Sequence, residues 1–106
     1  MERMNMPNHN YANGANYERK IANRLRDKGY YVMRSSGSKG LFDLIAIDFR
    51  LGQIKLIQLK NYKLSKGEFE RIRQDIRKLA PQHSAEISFY ALEHVARGSD
   101  QMTLIR

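Results

Sequence analysis

The residues best suited to chemistry lie on two neighbouring apolar segments in the middle of the chain. Asp43 stands within LFDLIAI, while Gln58 and Lys60 end the next apolar run, on either side of Leu59. A carboxylate in such apolar surroundings is costly unless it is paired or metal-bound. Asp43, the Gln58 amide and the main-chain carbonyl of Leu59 are oxygen ligands of the kind that Mg²⁺ prefers. With Lys60 to stabilise charge on a phosphate, the pattern indicates metal-assisted phosphodiester hydrolysis.

Two strands must bring these residues together. We predict strands over residues 41–49 and 54–60, the first carrying Asp43, joined as a hairpin by a tight connection. Side chains alternate along a strand, so Gln58 and Lys60 share a face and Asp43 can lie across from them. Taken one at a time, Asp43 could also be a surface residue at a strand end and Lys60 an exposed strand residue, because short patterns recur by chance.

The remaining elements give the predicted order αβββαββ. Helical spacing covers residues 15–28 and ends at Gly29, a typical C-cap position. A second helix begins with a Ser65–Glu68 capping box and buries one apolar face. That face is predicted to contain Phe69, Ile72, Ile76 and Leu79. The other predicted strands are residues 30–34, 87–92 and 102–105. We therefore expect a flexible arm over residues 1–13 and a single domain over residues 14–106.

The charge of the chain favours a polyanionic partner. Nineteen Lys and Arg residues against eleven Asp and Glu give a net charge of +8. Such a surface binds nucleic acid through counterion release, although a merely soluble basic protein is also possible. The basic residues are scattered over several elements, which argues against membrane binding. There is no cysteine and no apolar signal segment, so an intracellular protein is expected.

Several basic residues are candidates for contacts with a DNA backbone. Arg34 and Lys39 flank or lie in a Ser/Gly loop, which could equally be a flexible surface turn. The loop lacks P-loop spacing and leads into a strand, so no nucleotide cofactor is expected. Arg71, Arg77 and Lys78 lie on the polar face of the second predicted helix, where an ordinary solvated face is the alternative.

Glu18 adds a possible third ligand from the first predicted helix. It follows the apolar stripe of that helix, four residues before Ala22 and seven before Leu25. A carboxylate there can point into a site between helix and sheet or lie at the solvated edge of the stripe. The spacing alone leaves both readings open.

Further short segments accompany this pattern in a fixed order. They are Glu18-Arg19, residues 24–30, Val32 with Arg34, Gly37-Ser38-Lys39, residues 43–46 and Gln58-Leu59-Lys60. In this arrangement the chain resembles the archaeal-type Holliday junction resolvases of the PD-(D/E)xK restriction-endonuclease-like superfamily. The resemblance spans about residues 14–60, and the remainder fits through the order of its elements.

The resemblance implies an α/β restriction-endonuclease-like fold with a mixed central β-sheet flanked by helices. It also implies a homodimeric, Mg²⁺-dependent endonuclease, with Mn²⁺ as a possible substitute, that nicks two opposed strands of four-way DNA junctions. Glu18 then matches the helix glutamate of the family, Asp43 the metal-binding aspartate and Lys60 the catalytic lysine. Ser38 matches the serine of a loop that approaches the scissile strand.

Gln58 departs from the family pattern, which has glutamate at this position. A neutral amide still offers an oxygen to Mg²⁺, but the site loses one negative charge. The chain could be an active glutamine variant, a natural binder that has lost catalysis, or a substituted protein that traps a DNA complex. An Mrr- or restriction-like nuclease acting on duplex DNA is the alternative enzyme. A cellular and a viral origin both fit the sequence.

Overall fold

Two helices and five strands make up the described part of the protein. The computed structural model describes residues 6–35, 40–96 and 99–106, with side chains described from residue 14 onwards. The elements are α1 (Met6–Asp27), β1 (Tyr31–Arg34), β2 (Leu44–Asp48), β3 (Gln53–Lys60), α2 (Lys66–Leu79), β4 (Ile87–Ala96) and β5 (Ser99–Ile105). This order confirms the predicted αβββαββ arrangement. No helix in the described ranges is long and apolar enough to cross a membrane.

The strands form one mixed sheet in the order β1-β2-β3-β4-β5. Three of the pairings are antiparallel, whereas β3 and β4 run parallel with Gln58 opposite Ala91. A parallel pair needs a crossover connection, which α2 supplies. The predicted β2–β3 hairpin is confirmed. Asp48 closes it by accepting hydrogen bonds from the backbone N–H groups of Arg50 and Leu51, and Gly52 adopts φ +65°.

The first face of the sheet packs against α1. Ile21, which is 1% exposed, and Leu25 from α1 contact Ile57 and Leu59 of β3 in one apolar cluster. The helix ends at Asp27. Gly29 follows it as the predicted C-cap glycine, with φ +100° and its backbone N–H donating to the Arg26 carbonyl. This packing brings the middle of α1 against the end of β3.

The opposite face of the sheet packs against α2. Ile72 and Ile76 join Leu56 and Ala91 in a second apolar cluster, as expected from side-chain alternation along β3. The predicted capping box is present, because the Ser65 side chain accepts from Glu68 N–H and Glu68 accepts from Ser65 N–H. The two helices therefore cover opposite faces of the sheet.

The last two strands extend beyond the predicted 87–92 and 102–105. Three further sequence predictions differ from the structure. The first helix begins at Met6, so residues 6–13 of the predicted arm are helical. Leu79 was predicted on the buried face but is 63% exposed, because α2 ends there and Ala80 packs against the cluster instead. The first strand of the hairpin begins at Leu44, so Asp43 lies just before the strand that was predicted to carry it.

Candidate active site

Asp43 is attached to β3 by two hydrogen bonds. Its backbone N–H donates to the Ile57 carbonyl across 2.9 Å, and its Oδ2 atom accepts from the Leu59 N–H across 2.7 Å. The side chain thus takes a place that a backbone carbonyl would fill in a regular ladder, which explains why β2 starts one residue later. Burial raises the pKa of Asp43, although the Leu59 N–H and the charge of Lys60 act in the opposite direction.

Gln58 lies on β3 between the two residues that hold Asp43. Its Oε1 atom is buried, and no described residue donates a hydrogen bond to it. Leaving a buried polar atom unpaired costs about 1–3 kcal/mol. A cation or a water molecule bound at this atom would remove that cost. The amide oxygen of Gln58 is therefore a candidate metal ligand.

Lys60 is the last residue of β3 and is half-buried. Its ammonium group lies close enough to Asp43 to oppose the rise in the pKa of that carboxyl group. Gln58 and Lys60 are two residues apart on one strand, so their side chains leave the same face of the sheet. Asp43 is thus held on β3 beside Gln58, and Lys60 lies near it; that these three residues form an active site stays a prediction.

Glu18 reaches the same region from α1. Burial raises the pKa of its carboxyl group, and the charge of Asp43 raises it further, while Arg34 opposes both. The Arg34 Nη2 atom lies 3.5 Å from Glu18 Oε1. The negative charge of Asp43 makes ionisation of Glu18 less favourable, and a bound cation would compensate this repulsion. Of the two readings that the spacing left open, the structure has Glu18 directed towards the sheet.

An open cleft runs along this end of α1 and β3. Its volume is about 220 Å³. It is lined by Gly14, Tyr17, Glu18, Leu59, Lys60, Asn61 and Tyr62. Glu18 and Lys60 therefore line a space that is open to a ligand, near the half-buried Asp43 and Gln58. We call this space the main cleft.

The donor set fits a divalent metal ion of the hard, oxygen-binding kind. Glu18 and Asp43 supply carboxylates, and Gln58 supplies an amide oxygen that has no hydrogen-bond partner among the described residues. Mg²⁺ is bound through one or two carboxylates and retains several waters, so it does not need a cage of acidic residues. Among the described residues no group of three His, Cys, Asp or Glu side chains converges.

The candidate DNA-binding residues differ in their contacts with the rest of the protein. Arg34 forms an ion pair with Glu18 and donates a hydrogen bond to the Ala15 carbonyl, so it helps to position the glutamate. Arg71, Arg77 and Lys78 are exposed on α2, as predicted. Ser38 and Lys39 lie outside the described residues.

The sequence analysis missed a polar cluster beside the main cleft. Asp100 Oδ1 accepts a hydrogen bond from Tyr17 Oη across 2.8 Å and lies 3.1 Å from His94 Nδ1, and Asp100 Oδ2 accepts from Arg24 across 2.8 Å. Tyr17 and Asp100 are 83 positions apart, so no local pattern could have joined them. Asn61 and Tyr62 also line the cleft. Their one sequence signal is their position directly after Lys60, where β3 ends.

Comparison with known proteins gives two matches by sequence. The family model of the archaeal Holliday junction resolvase (Hjc) matches residues 9–85. The crossover junction endodeoxyribonuclease Hjc of Methanocaldococcus jannaschii is 39% identical over 71 residues, which is 67% of this chain and 50% of that protein. The chain thus spans about half the length of the curated relative it matches.

Comparison with solved structures gives a similar fold. Hjc of Archaeoglobus fulgidus, a Holliday junction resolvase from an archaeal hyperthermophile, superposes with a TM-score of 0.58 at 18% sequence identity. The match covers 88% of this chain and 73% of that chain. At this identity the likeness shows a shared fold, which agrees with the predicted α/β restriction-endonuclease-like architecture.

Proposed function

The chain belongs to the archaeal Holliday junction resolvase (Hjc) family, and we propose that it is a metal-dependent endonuclease that resolves four-way DNA junctions. The observation that carries the proposal is the buried Gln58 Oε1, to which no described residue donates a hydrogen bond. Gln58 lies on β3 between the two residues that hold Asp43 and two positions before Lys60. The net charge of +8 supports a DNA substrate, because phosphate neutralisation supplies most of the affinity of such proteins.

We assign the metal, Mg²⁺ with Mn²⁺ as a substitute, to Asp43, Gln58 Oε1, Glu18 and the Leu59 carbonyl. When bound, the ion supplies a water of lowered pKa and neutralises charge on the phosphate. Asp43 is oriented for ligation by the Leu59 N–H, which holds one of its oxygens on β3. The carboxylate therefore needs little reorganisation to bind the ion.

Lys60 acts on the substrate rather than on the metal. Its ammonium group faces the main cleft beside Asp43, where it can bind a phosphate oxygen and stabilise the additional negative charge of the transition state. Arg34 keeps Glu18 in place through their ion pair. Ser38 is assigned to the scissile strand on the family resemblance alone.

Other basic residues contact DNA outside the site in this proposal. Arg71, Arg77 and Lys78 are exposed on α2 and contact phosphates without reading the base sequence. Lys39 and Arg34 are assigned to the backbone near the scissile strand. Selection of a four-way junction then depends on the shape of the DNA, since phosphate contacts carry no sequence information.

Paired nicks on opposed strands need two active sites, and a homodimer supplies both. Exposed apolar side chains support a contact between copies, since a small domain gains stability by covering them. Among the described residues the most exposed of them are Phe49, at 75%, and Leu51, at 67%. Sedimentation of the protein alone and with junction DNA tests the proposed dimer.

A cleavage assay on matched substrates tests the function. The protein is incubated with Mg²⁺ and either a labelled four-way junction or a linear duplex of the same sequence. We expect symmetric paired nicks on the junction and an intact duplex. Cutting of both substrates would instead assign a restriction-like duplex nuclease.

Gln58 favours one further candidate, a junction-binding protein with weakened catalysis. An amide carries no charge, so the site binds a divalent cation less tightly than one with glutamate. A junction complex that migrates as a shifted band without products would identify this function. Restoring the carboxylate at position 58 separates a weak metal site from an inactive one.

A further inference from the structure

A second cleft adjoins the main cleft on the far side of Tyr17 and Asn61, which line both. It has a volume of about 330 Å³. Its other lining residues are Asn16, Lys20 and His94. The second cleft is therefore within reach of a DNA strand whose phosphate sits at Lys60.

The wall of the second cleft is held by Asp100. This carboxylate binds Tyr17 Oη, His94 Nδ1 and the Arg24 guanidinium at 2.8, 3.1 and 2.8 Å. The side chain of Asp100 is 7% exposed, so its charge is compensated inside the protein rather than presented to the cleft. The rings of Tyr17 and His94 meet edge to face with their centroids 6.1 Å apart. The wall is thus ordered before a ligand arrives.

The groups that face the second cleft are suited to an anion. Lys20 carries a positive charge and three N–H donors. The Asn16 Oδ1 atom accepts a hydrogen bond from Arg19 across 2.9 Å, which leaves the amino group of Asn16 free to donate to a ligand. Asn61 adds a further donor, and none of the five lining residues is acidic. A phosphate diester matches this set of donors.

We propose that the second cleft binds the phosphate that neighbours the scissile phosphate on the cleaved strand. This inference rests on the proposed nuclease function and extends it. Lys20 supplies the charge, the Asn16 and Asn61 amides fix the position of the phosphate, and His94 forms part of the wall. Two adjacent phosphates held on either side of Tyr17 and Asn61 would set the path of the strand across the active site.

The salt dependence of binding tests the charge at this site. Each phosphate contact contributes about 0.9 to the slope of log affinity against log salt concentration for B-DNA. Lys20→Gln should lower that slope by about 1 and weaken junction binding by roughly three- to tenfold at moderate salt. Lys28→Gln is the matched control, because Lys28 is exposed and follows the end of α1, away from both clefts. It should change neither quantity beyond the effect of net charge.

A scan with neutral methylphosphonates locates the phosphate. One linkage at a time is replaced along the cleaved strand, and binding is measured for the wild type, Lys20→Gln and His94→Gln. We expect Lys20→Gln to cause no further loss of binding only where the linkage next to the scissile one is already neutral. The variant and the modified DNA then each remove the same contact. His94→Gln should couple to that same linkage more weakly.

The outcomes separate this inference from the proposed function. A wild type that binds no junction would refute both. If the wild type binds and cleaves the junction, either of two results would refute the second cleft alone. One is a Lys20→Gln effect on binding that equals that of Lys28→Gln. The other is a Lys20→Gln effect that adds to the effect of the methylphosphonate at every linkage.

Discussion

The carboxylate of Asp43 accepts a hydrogen bond of 2.7 Å from the backbone N–H of Leu59, 16 residues further along the chain. This bond joins the segment before β2 to the strand that carries Gln58. Leu59 packs its own side chain into the cluster beneath α1, so the donor is anchored by the core. The candidate site is therefore held by the interior of the protein rather than by surface loops.

Asp43→Asn should abolish cleavage while leaving the fold intact. The amide keeps an oxygen acceptor for the Leu59 N–H but loses the charge that binds a cation. We expect the cleavage rate to fall by more than about a hundredfold, since changing even groups behind the ligands costs about 10–100-fold. Junction binding, measured by gel shift, should persist. Asp27→Asn, an exposed change at the end of α1, serves as the control and should cleave normally.

Gln58→Glu should raise the cleavage rate at limiting Mg²⁺. A carboxylate adds a negative charge to the ligand set, and ligand charge governs the affinity for hard cations. The concentration of Mg²⁺ at half-maximal rate should fall on the order of tenfold. Gln53→Glu adds the same charge at the exposed start of β3 and should leave that concentration unchanged. An unaltered metal dependence in Gln58→Glu would mean that the amide is not a ligand.

Mg²⁺ should stabilise the protein in the absence of DNA. A ligand at ten times its dissociation constant adds about 1.4 kcal/mol to the free energy of unfolding, which corresponds to several degrees in the melting temperature of a domain of this size. Thermal unfolding followed by circular dichroism measures the shift. It should disappear in Asp43→Asn and persist in Asp75→Asn, which removes an exposed carboxylate on α2. A shift of equal size in both variants would place the ion elsewhere.

The Asp100 cluster should make stability depend on acid pH. Burial acts to raise the pKa of Asp100, but hydrogen bonds from Arg24, Tyr17 and His94 outweigh it and lower the pKa from 3.8 to about 2. A lowered folded-state pKa contributes stability that is complete above about pH 4 and is lost as the pH falls towards 2.

The corresponding variant is Asp100→Asn, measured by denaturant unfolding across that range. It should lose about 1–2 kcal/mol at pH 7 relative to the wild type. At pH 2 the two proteins should differ little, because the wild-type carboxyl is then half-protonated. A deficit that stays constant from pH 7 to pH 2 would show that the charge of Asp100 is not what stabilises the cluster.

Much of the fold could be predicted because its signals are local. The Ser65–Glu68 capping box, the positive φ of Gly29 and the apolar spacing of Ile72 and Ile76 each depend on residues within a few positions of one another. The spacing of Gln58 and Lys60 is also a local signal, since alternation along a strand fixes their common face. These features predicted the elements and the three central residues of the site.

Only the tertiary structure decided how separate elements meet. The sequence alone determined that Glu18 could point towards the sheet, but the packing of α1 on β3 brought its charge near Asp43. The same packing joined Tyr17 to Asp100 and so formed the second cleft, while Leu79 became exposed where α2 ends. Periodicity reports which side of an element is apolar. It carries no information about which distant residue lies opposite, because that depends on the packing of the whole chain.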